Sequence, residues 1–298
     1  AVEKRYLSRQ EVRDERYRKL ADYFEGEEVS LRATMEMVQS LEMLSDMERL
    51  RSVLSDPERF AELWVFEQQE VLRLWSGTEP STVNDAYRTG QERWLMKERS
   101  GQEQFDVQFR IAELLFRLGA WADSENWYRS CEEIAREIED PSGIARAVGN
   151  LGIVHWSVGR HEAALSCFAE QEEIAQRIGD RESMASAIGS RGNIHWSQGQ
   201  FARALACYQQ QEVLARELGD QGRVSLAIGN LGLAHWNLGH VDKAMACYLE
   251  QESIARSLGD SRSLVLAVGN IANVHLHRQE RSEALGRYLE QEKIALEL

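Results

Sequence analysis

One stretch recurs through the second half of the chain: Gly149-Asn-Leu-Gly-Ile-Val-His-Trp-Ser-Val-Gly159. Close copies begin at Gly189 and Gly229, each 40 residues after the one before (189 − 149 and 229 − 189), and a degenerate fourth copy begins at Gly269. A fixed period of this size is typical of a stacked repeat protein, in which each unit packs only on its neighbours.

Each repeat is predicted to contain two helices. The repeats end with the pairs Gly179-Asp180, Gly219-Asp220 and Gly259-Asp260. Glycine suits the left-handed residue after a helix, and the following aspartate can accept backbone N–H bonds at the start of the next helix. Apolar residues follow three- and four-residue spacing and no segment alternates as a strand does, so the sequence predicts an all-α fold.

Glycines in the middle of the first helix of a repeat indicate where two helices touch. Gly192 and Gly232 each cost about 1 kcal/mol relative to alanine in a helix. Such residues are retained where two backbones approach closely. We therefore expect the contact between the two helices of each repeat to lie at these positions.

These residues carry a family resemblance. Leu151-Gly-x-x-His155, then Gly159, Ala164 and Phe168, resembles the tetratricopeptide repeat, with histidine where that family usually has tyrosine. The 40-residue period and the Gly-Asn-Leu-Gly phrase are similar to the Leu-Gly-Asn-repeat scaffold proteins and kinesin light chains. The resemblance implies a right-handed α-solenoid over residues 105–298, in units 105–140, 141–180, 181–220, 221–260 and 261–298.

The chain departs from that family at one position of the second helix. Where the family usually has a small residue, this sequence has a glutamine in four successive repeats: Gln171, Gln211, Gln251 and Gln291. We expect the helices there to pack more loosely or through hydrogen bonds.

Residues 1–100 do not follow the repeat and form a separate helical segment. Helices are predicted at about 8–24, 28–44 and 46–54. Another is predicted from Pro57 to Ser76, where Ser55 and Asp56 before the proline mark the start, and a last one to about Arg99 with Ser81 as its capping residue. The stretches Tyr17–Phe24 and Asp56–Trp64 resemble the segment that precedes the repeats in nephrocystin-3-like NACHT proteins, which are signal-transducing STAND NTPases. This resemblance implies the sensor arm of a longer protein.

The chain has no Gly-x-x-x-x-Gly-Lys-Ser/Thr phosphate loop, so the NTPase module itself is not predicted here. The last unit ends at Leu298 within an apolar second helix, which suggests truncation or a packed end.

Composition and charge narrow the function classes. A formal net charge of −14 argues against nucleic acid as a partner, because phosphate binding requires basic patches. No apolar run is long enough to cross a bilayer and residues 1–20 do not resemble a secretory signal, so we predict a cytoplasmic protein that binds no membrane.

Neither metal, cofactor nor catalysis is predicted. Cys167, Cys207 and Cys247 share one phase of the repeat, and equivalent atoms of stacked helices lie about 8–10 Å apart, too far for disulfides or shared zinc ligation. The histidines form a similar ladder and are predicted to be packing residues: His155, His195, His235 and His275. Residues that recur in every repeat serve structure, and no convergent catalytic set is visible. Glutamates of the second helices, such as Glu170, Glu172 and Glu173, are predicted to be solvated.

A helical wheel places a set of polar residues on the predicted concave groove. On the third full unit, Gly229, Asn230, Leu233 and Trp236 share this side. The candidates for holding a ligand backbone are Asn150, Asn230, Asn270 and, in the same phase, Ser190, with Asn193, Asn273 and Arg191 nearby. An asparagine amide both donates and accepts. In the resembling scaffolds, the asparagine of Gly-Asn-Leu-Gly contacts bound peptides. The alternative is that these residues are solvated or brace their own helix.

The tryptophans leave two interpretations open. Trp156, Trp196 and Trp236 lie on or beside the groove, with Phe116 and Leu276 in phase. They either form an exposed ladder that grips apolar side chains of a ligand or wedge between repeats.

Together these features predict a non-enzymatic scaffold that binds a protein or peptide in its groove, plausible as the sensing or autoinhibitory arm of a STAND-type NTPase. The alternative function is self-association into oligomers or filaments through an uncapped apolar end.

Overall fold

A computed structural model describes residues 2–297, with the side chains of residues 10–297. Within this range the chain forms sixteen α-helices and no strand, and neighbouring helices pack in chain order. The predicted all-α solenoid class is therefore confirmed. The chain divides into two compact units, Ala1–Gly143 and Ile144–Leu298. None of the described helices has both the length and the apolar character that crossing a bilayer requires.

The first unit contains the non-repeating helices and one hairpin. Its helices are α1 (Val2–Gly26), α2 (Leu31–Leu44), α3 (Met47–Leu54), α4 (Pro57–Phe66), α5 (Gln68–Trp75), α6 (Pro80–Trp94), α7 (Gly101–Arg117) and α8 (Trp121–Glu137). The hairpin α7–α8 is the first predicted repeat unit. The boundary between the compact units, after Gly143, therefore differs from the predicted start of the repeats at residue 105. The division near residues 100–105 stays a prediction.

One expectation in this unit is wrong. The sequence predicts a single helix from Pro57 to Ser76, but the helix is broken at Glu67, whose backbone lies outside the helical region (φ −131, ψ 41). The break redirects α5 so that Trp75 enters the core, where its Nε1 donates to the hydroxyl of Tyr87 at 3.2 Å. Burial of this tertiary pair compensates for the interrupted helix.

The second unit consists of repeat hairpins. Their helices are α9 (Pro141–Ser157), α10 (His161–Ile178), α11 (Arg181–Ser197), α12 (Phe201–Leu218), α13 (Gln221–Asn237), α14 (Val241–Leu258), α15 (Ser261–His277) and α16 (Arg281–Leu296). Helix α9 begins just before the boundary between the units.

The Gly-Asp turns form as predicted. Gly219 is left-handed with φ +69, and the side chain of Asp220 accepts a hydrogen bond from the backbone N–H of Arg223 at 3.0 Å. This backbone hydrogen bond is the main reason that the pKa of Asp220 lies below its usual value. A two-residue turn therefore ends one helix and starts the next.

The mid-helix glycines receive an aromatic ring from the second helix. A Cβ on Gly192 would lie 2.7 Å from the Tyr208 ring, and one on Gly232 would lie 2.4 Å from the Tyr248 ring. The predicted close approach is confirmed. In the fourth hairpin Ala272 replaces the glycine, and Tyr288 there is only half-buried.

The glutamines of the second helices fill another gap, which a second glycine of the first helix leaves. A Cβ on Gly229 would lie 2.4 Å from Nε2 of Gln251, so this glycine faces its partner helix and not the groove side where the wheel placed it. The expectation of looser packing is wrong because the long side chain occupies the space that glycine leaves. The hydrogen-bonded alternative holds in the last hairpin, where Gln291 Nε2 donates to the Val265 carbonyl at 3.2 Å.

The hairpin α7–α8 of the first unit makes the opposite exchange. Phe109 stands where the other repeats have glycine, and Cys131 stands where they have glutamine. Phe109 stacks on Phe105 at 5.6 Å between ring centroids and meets Tyr128 edge-on at 5.3 Å. Large and small residues thus exchange sides while the gap stays filled.

The close contact predicts opposite effects of one substitution at two glycines. We expect Gly192→Ala to lower the free energy of unfolding by about 1–3 kcal/mol, because the rigid Tyr208 ring occupies the site of the new Cβ. Gly286→Ala, in helix α16 with nothing within 4 Å of the added Cβ, should instead raise it by about 0.5–1 kcal/mol. Urea unfolding of both variants measures this, and equal effects would contradict the packing described.

The turn between the two helices of a hairpin predicts a second pair of substitutions with opposite effects on stability. Gly239 is left-handed with φ +76, whereas the corresponding residue of the last hairpin is Gln279 with φ +64. A side chain in this conformation costs about 1–2 kcal/mol, part of which is offset by the greater freedom of glycine in the unfolded chain.

We therefore expect Gln279→Gly to stabilise the chain by about 0.5–1 kcal/mol and Gly239→Gln to destabilise it by about 1 kcal/mol. Thermal unfolding followed by circular dichroism measures both changes. A loss of stability in Gln279→Gly would show that the turn holds no strain.

Candidate functional site

One face of each first helix is open to solvent in the second unit. On α13 it is formed by residues at i, i+4, i+7 and i+11, which are exposed or half-buried: Leu226, Asn230, Leu233 and Asn237. The same positions are Ser186, Ser190, Asn193 and Ser197 on α11, and Leu266, Asn270, Asn273 and His277 on α15. This open face is polar on α11 and becomes apolar with interspersed amides on α13.

A cleft of about 570 Å³ lies on this face. Helices α11, α13, α14 and α15 supply its lining, which consists of Trp196, Leu233, Trp236, Asn237, Tyr248, Asn270, Asn273, Leu276 and His277. The structure thus brings together four of the predicted site residues, Trp196, Trp236, Asn270 and Asn273. Asn150, Ser190, Arg191, Asn193, Asn230 and Trp156 do not line it.

Each interpretation of the tryptophans describes part of what is found. Trp156 is 37% exposed and Trp196 is 38% exposed. Trp236 is half-buried, packs against the core cluster that α14 and α15 form, and meets His277 edge-on at 5.2 Å between ring centroids. The rings therefore contribute to packing and still present apolar surface.

The asparagines of the Gly-Asn-Leu-Gly phrase differ from one another in their hydrogen bonds. Nδ2 of Asn150 donates to the Arg146 carbonyl at 2.9 Å, which is the helix-bracing role. The side chains of Asn230 and Asn270 are half-buried and make no hydrogen bond within residues 2–297. Of these residues, Asn270 is the one that is both available for a new hydrogen bond and in the cleft.

Three further predicted residues already have partners. Oδ1 of Asn193 accepts from the Tyr208 hydroxyl at 2.8 Å, and Oδ1 of Asn273 accepts from the Tyr288 hydroxyl at 2.6 Å. Arg191 pairs with Glu172 of helix α10, so its guanidinium is directed to the neighbouring hairpin. This pair also corrects the expectation that Glu172 is merely solvated, since the residue is half-buried.

In three hairpins of the second unit, a histidine of the first helix braces the turn between the two helices. Nδ1 of His195 lies 3.0 Å from Oε1 of Gln200, and Nδ1 of His275 lies 2.6 Å from Oε2 of Glu280. His235 faces His240 in the same way at 3.3 Å. Burial is the main reason that the pKa of His195 lies below its usual value. In the described part of the chain no three His, Cys, Asp or Glu side chains group as a metal site would.

The four cysteines form no disulfide with one another and lie in buried or half-buried surroundings. Burial raises the pKa of Cys247 to about 11, and the nearby charges of Glu212 and Glu250 act in the same direction. A thiol with such a pKa is almost entirely protonated at neutral pH, which makes it a poor nucleophile.

Comparison with known families and structures identifies the repeats. Two family models of the tetratricopeptide repeat match, one over residues 103–177 and 143–217 and the other over residues 226–258. No curated protein sequence matches the chain.

Several solved structures share the fold at low sequence identity. A Rap protein complexed with competence and sporulation factor has a TM-score of 0.59 and 15% identity, covering 97% of this chain and 98% of that one. A Podosopora anserina kinesin light chain with nearly identical TPR-like repeats has a TM-score of 0.55 and 14% identity, covering 66% and 96%.

A STAND protein of Pyrococcus horikoshii with a tetratricopeptide repeat sensor has a TM-score of 0.61 and 13% identity, covering 93% of this chain and 46% of that one. At such identities the likeness concerns the fold alone. Residues 103–217 and 226–258 of this chain are tetratricopeptide repeats.

Proposed function

We propose that this chain binds an extended, uncharged segment of a partner protein in the cleft formed by α11, α13, α14 and α15. The observation that carries the proposal is the composition of the cleft. Its lining contains no aspartate, glutamate, lysine or arginine, although 28% of the residues of the chain are charged. A surface of this kind matches an apolar ligand and gives a charged one no partner.

The two chemical classes in the lining have separate tasks in this proposal. Trp196, Trp236 and Leu276 provide apolar contact area for side chains of the ligand, and tryptophan is well suited to anchor an interface. The amides of Asn237 and Asn270 supply donors and acceptors for a peptide backbone. Nδ2 of Asn237 donates one N–H to the Leu233 carbonyl at 2.8 Å, which leaves the second N–H and the amide oxygen for a ligand. An extended segment satisfies both sets at once.

The broader role follows from the resemblance of the N-terminal segment. We infer that binding in the cleft reports the presence of the partner to a STAND-type NTPase module of a longer protein, with this chain as its sensing or autoinhibitory arm and without catalysis of its own. The Pyrococcus horikoshii structure is a precedent for a tetratricopeptide sensor in that class. Four cysteines that form no disulfide are in keeping with action in the reducing cytoplasm.

The proposal predicts which tryptophans matter. From a library of displayed random peptides we expect the chain to select apolar, uncharged sequences. Their affinity should fall at least about 30-fold in Trp196→Ala/Trp236→Ala, since anchor residues contribute 2 kcal/mol or more. Trp156→Ala is the matched control, because Trp156 is as exposed as Trp196 but lies outside the cleft. Isothermal titration calorimetry measures the affinities, and circular dichroism verifies that the variants remain helical.

Two outcomes would contradict the proposal. One is selection of peptides that bind the double variant as well as the unchanged chain. The other is an equal loss of affinity in Trp156→Ala, which would mean that the tryptophans act through the stability of the array and not through contact with the ligand.

A second candidate function is self-association through helix α16. Leu285 is 60% exposed and Leu289, one turn later on the same face, is 57% exposed. In the earlier hairpins the residue equivalent to Leu285 packs on the following hairpin, as Met245 does against the cluster with Ile271 and Val274. A second copy of the chain could cover the α16 face in the same manner.

This candidate predicts a concentration-dependent mass in multi-angle light scattering. Leu285→Glu/Leu289→Glu should abolish the dependence, because buried carboxylates without partners are unfavourable. A monomer at all concentrations would exclude it.

A further inference from the structure

Each hairpin of the second unit pairs a residue of the open face with an aromatic residue fifteen positions later on the second helix. The four pairs are Ile153 with Phe168, Asn193 with Tyr208, Leu233 with Tyr248, and Asn273 with Tyr288. In three of them the two residues match chemically, since an aliphatic residue faces phenylalanine or an amide faces a tyrosine. The pair Leu233–Tyr248 is mismatched.

The matched pairs define what the tyrosine hydroxyl requires. In two hairpins the hydroxyl donates to an amide oxygen, from Tyr208 to Asn193 at 2.8 Å and from Tyr288 to Asn273 at 2.6 Å. In the first hairpin of the unit, Ile153 packs against the cluster that contains Phe168, which has no hydroxyl to satisfy. No hydroxyl is therefore left without an acceptor in the pairs whose members are both polar or both apolar.

Tyr248 has the hydroxyl without the amide. Its side chain is 2% exposed, and Leu233 packs against its cluster without offering an acceptor. The hydroxyl makes no hydrogen bond within the described chain. The hydroxyl oxygen is nevertheless still accessible to solvent, and Tyr248 lines the cleft. The hydroxyl thus keeps access to whatever occupies the cleft.

A ligand that fills this apolar cleft would cut the Tyr248 hydroxyl off from water, which is unfavourable unless the ligand itself offers an acceptor. A polar group that is buried without a partner costs about 1–3 kcal/mol. Burial also raises the pKa of Tyr248, so the phenol remains protonated and able to donate. The neighbouring hairpins indicate the acceptor that suits this geometry, because each offers a neutral amide oxygen. A backbone carbonyl of a peptide is the same chemical group.

We propose that the Tyr248 hydroxyl donates a hydrogen bond to a backbone carbonyl of the bound polypeptide, which supplies the amide oxygen that Asn193 and Asn273 supply in the adjacent hairpins. This inference rests on the proposed function and adds the specificity-determining contact of the cleft. The ligand class is a neutral, extended peptide whose carbonyl reaches Tyr248 while an adjacent apolar side chain lies against Trp196 and Trp236. The leucine at position 233 leaves the hydroxyl free for it.

The inference predicts that an internal amide competes with the ligand. Leu233→Asn should restore the pair seen in the neighbouring hairpins and remove the hydroxyl from the cleft. We expect this variant to be at least as stable as the unchanged chain and to bind selected peptides more weakly.

The test uses peptides selected from the displayed library on the unchanged chain. Tyr248→Phe should weaken their binding about three- to tenfold, the range of one hydrogen bond. Tyr208→Phe is the matched control and should leave affinity unchanged, because that hydroxyl is occupied by Asn193. Leu233→Asn should weaken binding to a similar extent, and Leu233→Asn/Tyr248→Phe should weaken it no further. Thermal unfolding of each variant separates loss of contact from loss of fold.

A thioamide scan of one selected peptide identifies the acceptor directly. Replacing each backbone carbonyl oxygen in turn by sulfur, a weaker acceptor, should reduce affinity at one position in the unchanged chain. That effect should disappear in Tyr248→Phe. A merely structural role of Tyr248 would lower affinity for every peptide alike and leave the scan unaltered.

The outcomes separate the two proposals. If no peptide is selected, or if selected peptides bind Trp196→Ala/Trp236→Ala normally, the proposed function fails and this inference fails with it. If binding depends on the tryptophans but Tyr248→Phe equals the unchanged chain, or Tyr208→Phe loses as much, the cleft remains a binding site and the role of Tyr248 is refuted.

Discussion

The second unit depends on large side chains of one helix that enter glycine gaps of its partner. Gly189 and Gly192 receive Gln211 and the ring of Tyr208, and the hairpin of Gly229 and Gly232 repeats the arrangement. Because both gaps occur on the same helix, they set the separation of the two helices in the hairpin. The exposed face of the first helix is in turn held at a constant orientation, which makes a cleft built from several hairpins possible.

Much of this fold could be predicted from residue order. The 40-residue period indicated hairpins, and the Gly-Asp pairs located their turns, because both signals are local and each has one physical interpretation. The break at Glu67 could not be predicted in this way. Residues 57–75 carry continuous helical spacing with no internal glycine, and the interruption arises from the tertiary pairing of Trp75 with Tyr87.

The candidate site could be predicted only in outline. The wheel placed Trp196, Trp236 and Asn270 on one face, since that property depends on helical periodicity alone. It did not distinguish Asn193 from Asn270, because the former accepts a bond from a residue on another helix. Tyr248 was missed for the same reason. Comparing each second-helix aromatic with the residue fifteen positions earlier would have found it, since the mismatch is visible in the sequence.

The change in the open face from serines on α11 to leucines on α13 concerns the register in which a ligand binds. Successive hairpins repeat helices of nearly equal length, so a uniform face would offer a peptide several equivalent positions, each shifted by one hairpin. Ser186 on α11 corresponds to Leu226 on α13, and the lone Leu233–Tyr248 pair occurs in a single hairpin. These differences remove the equivalence, and a periodic scaffold thereby acquires a single alignment for its ligand.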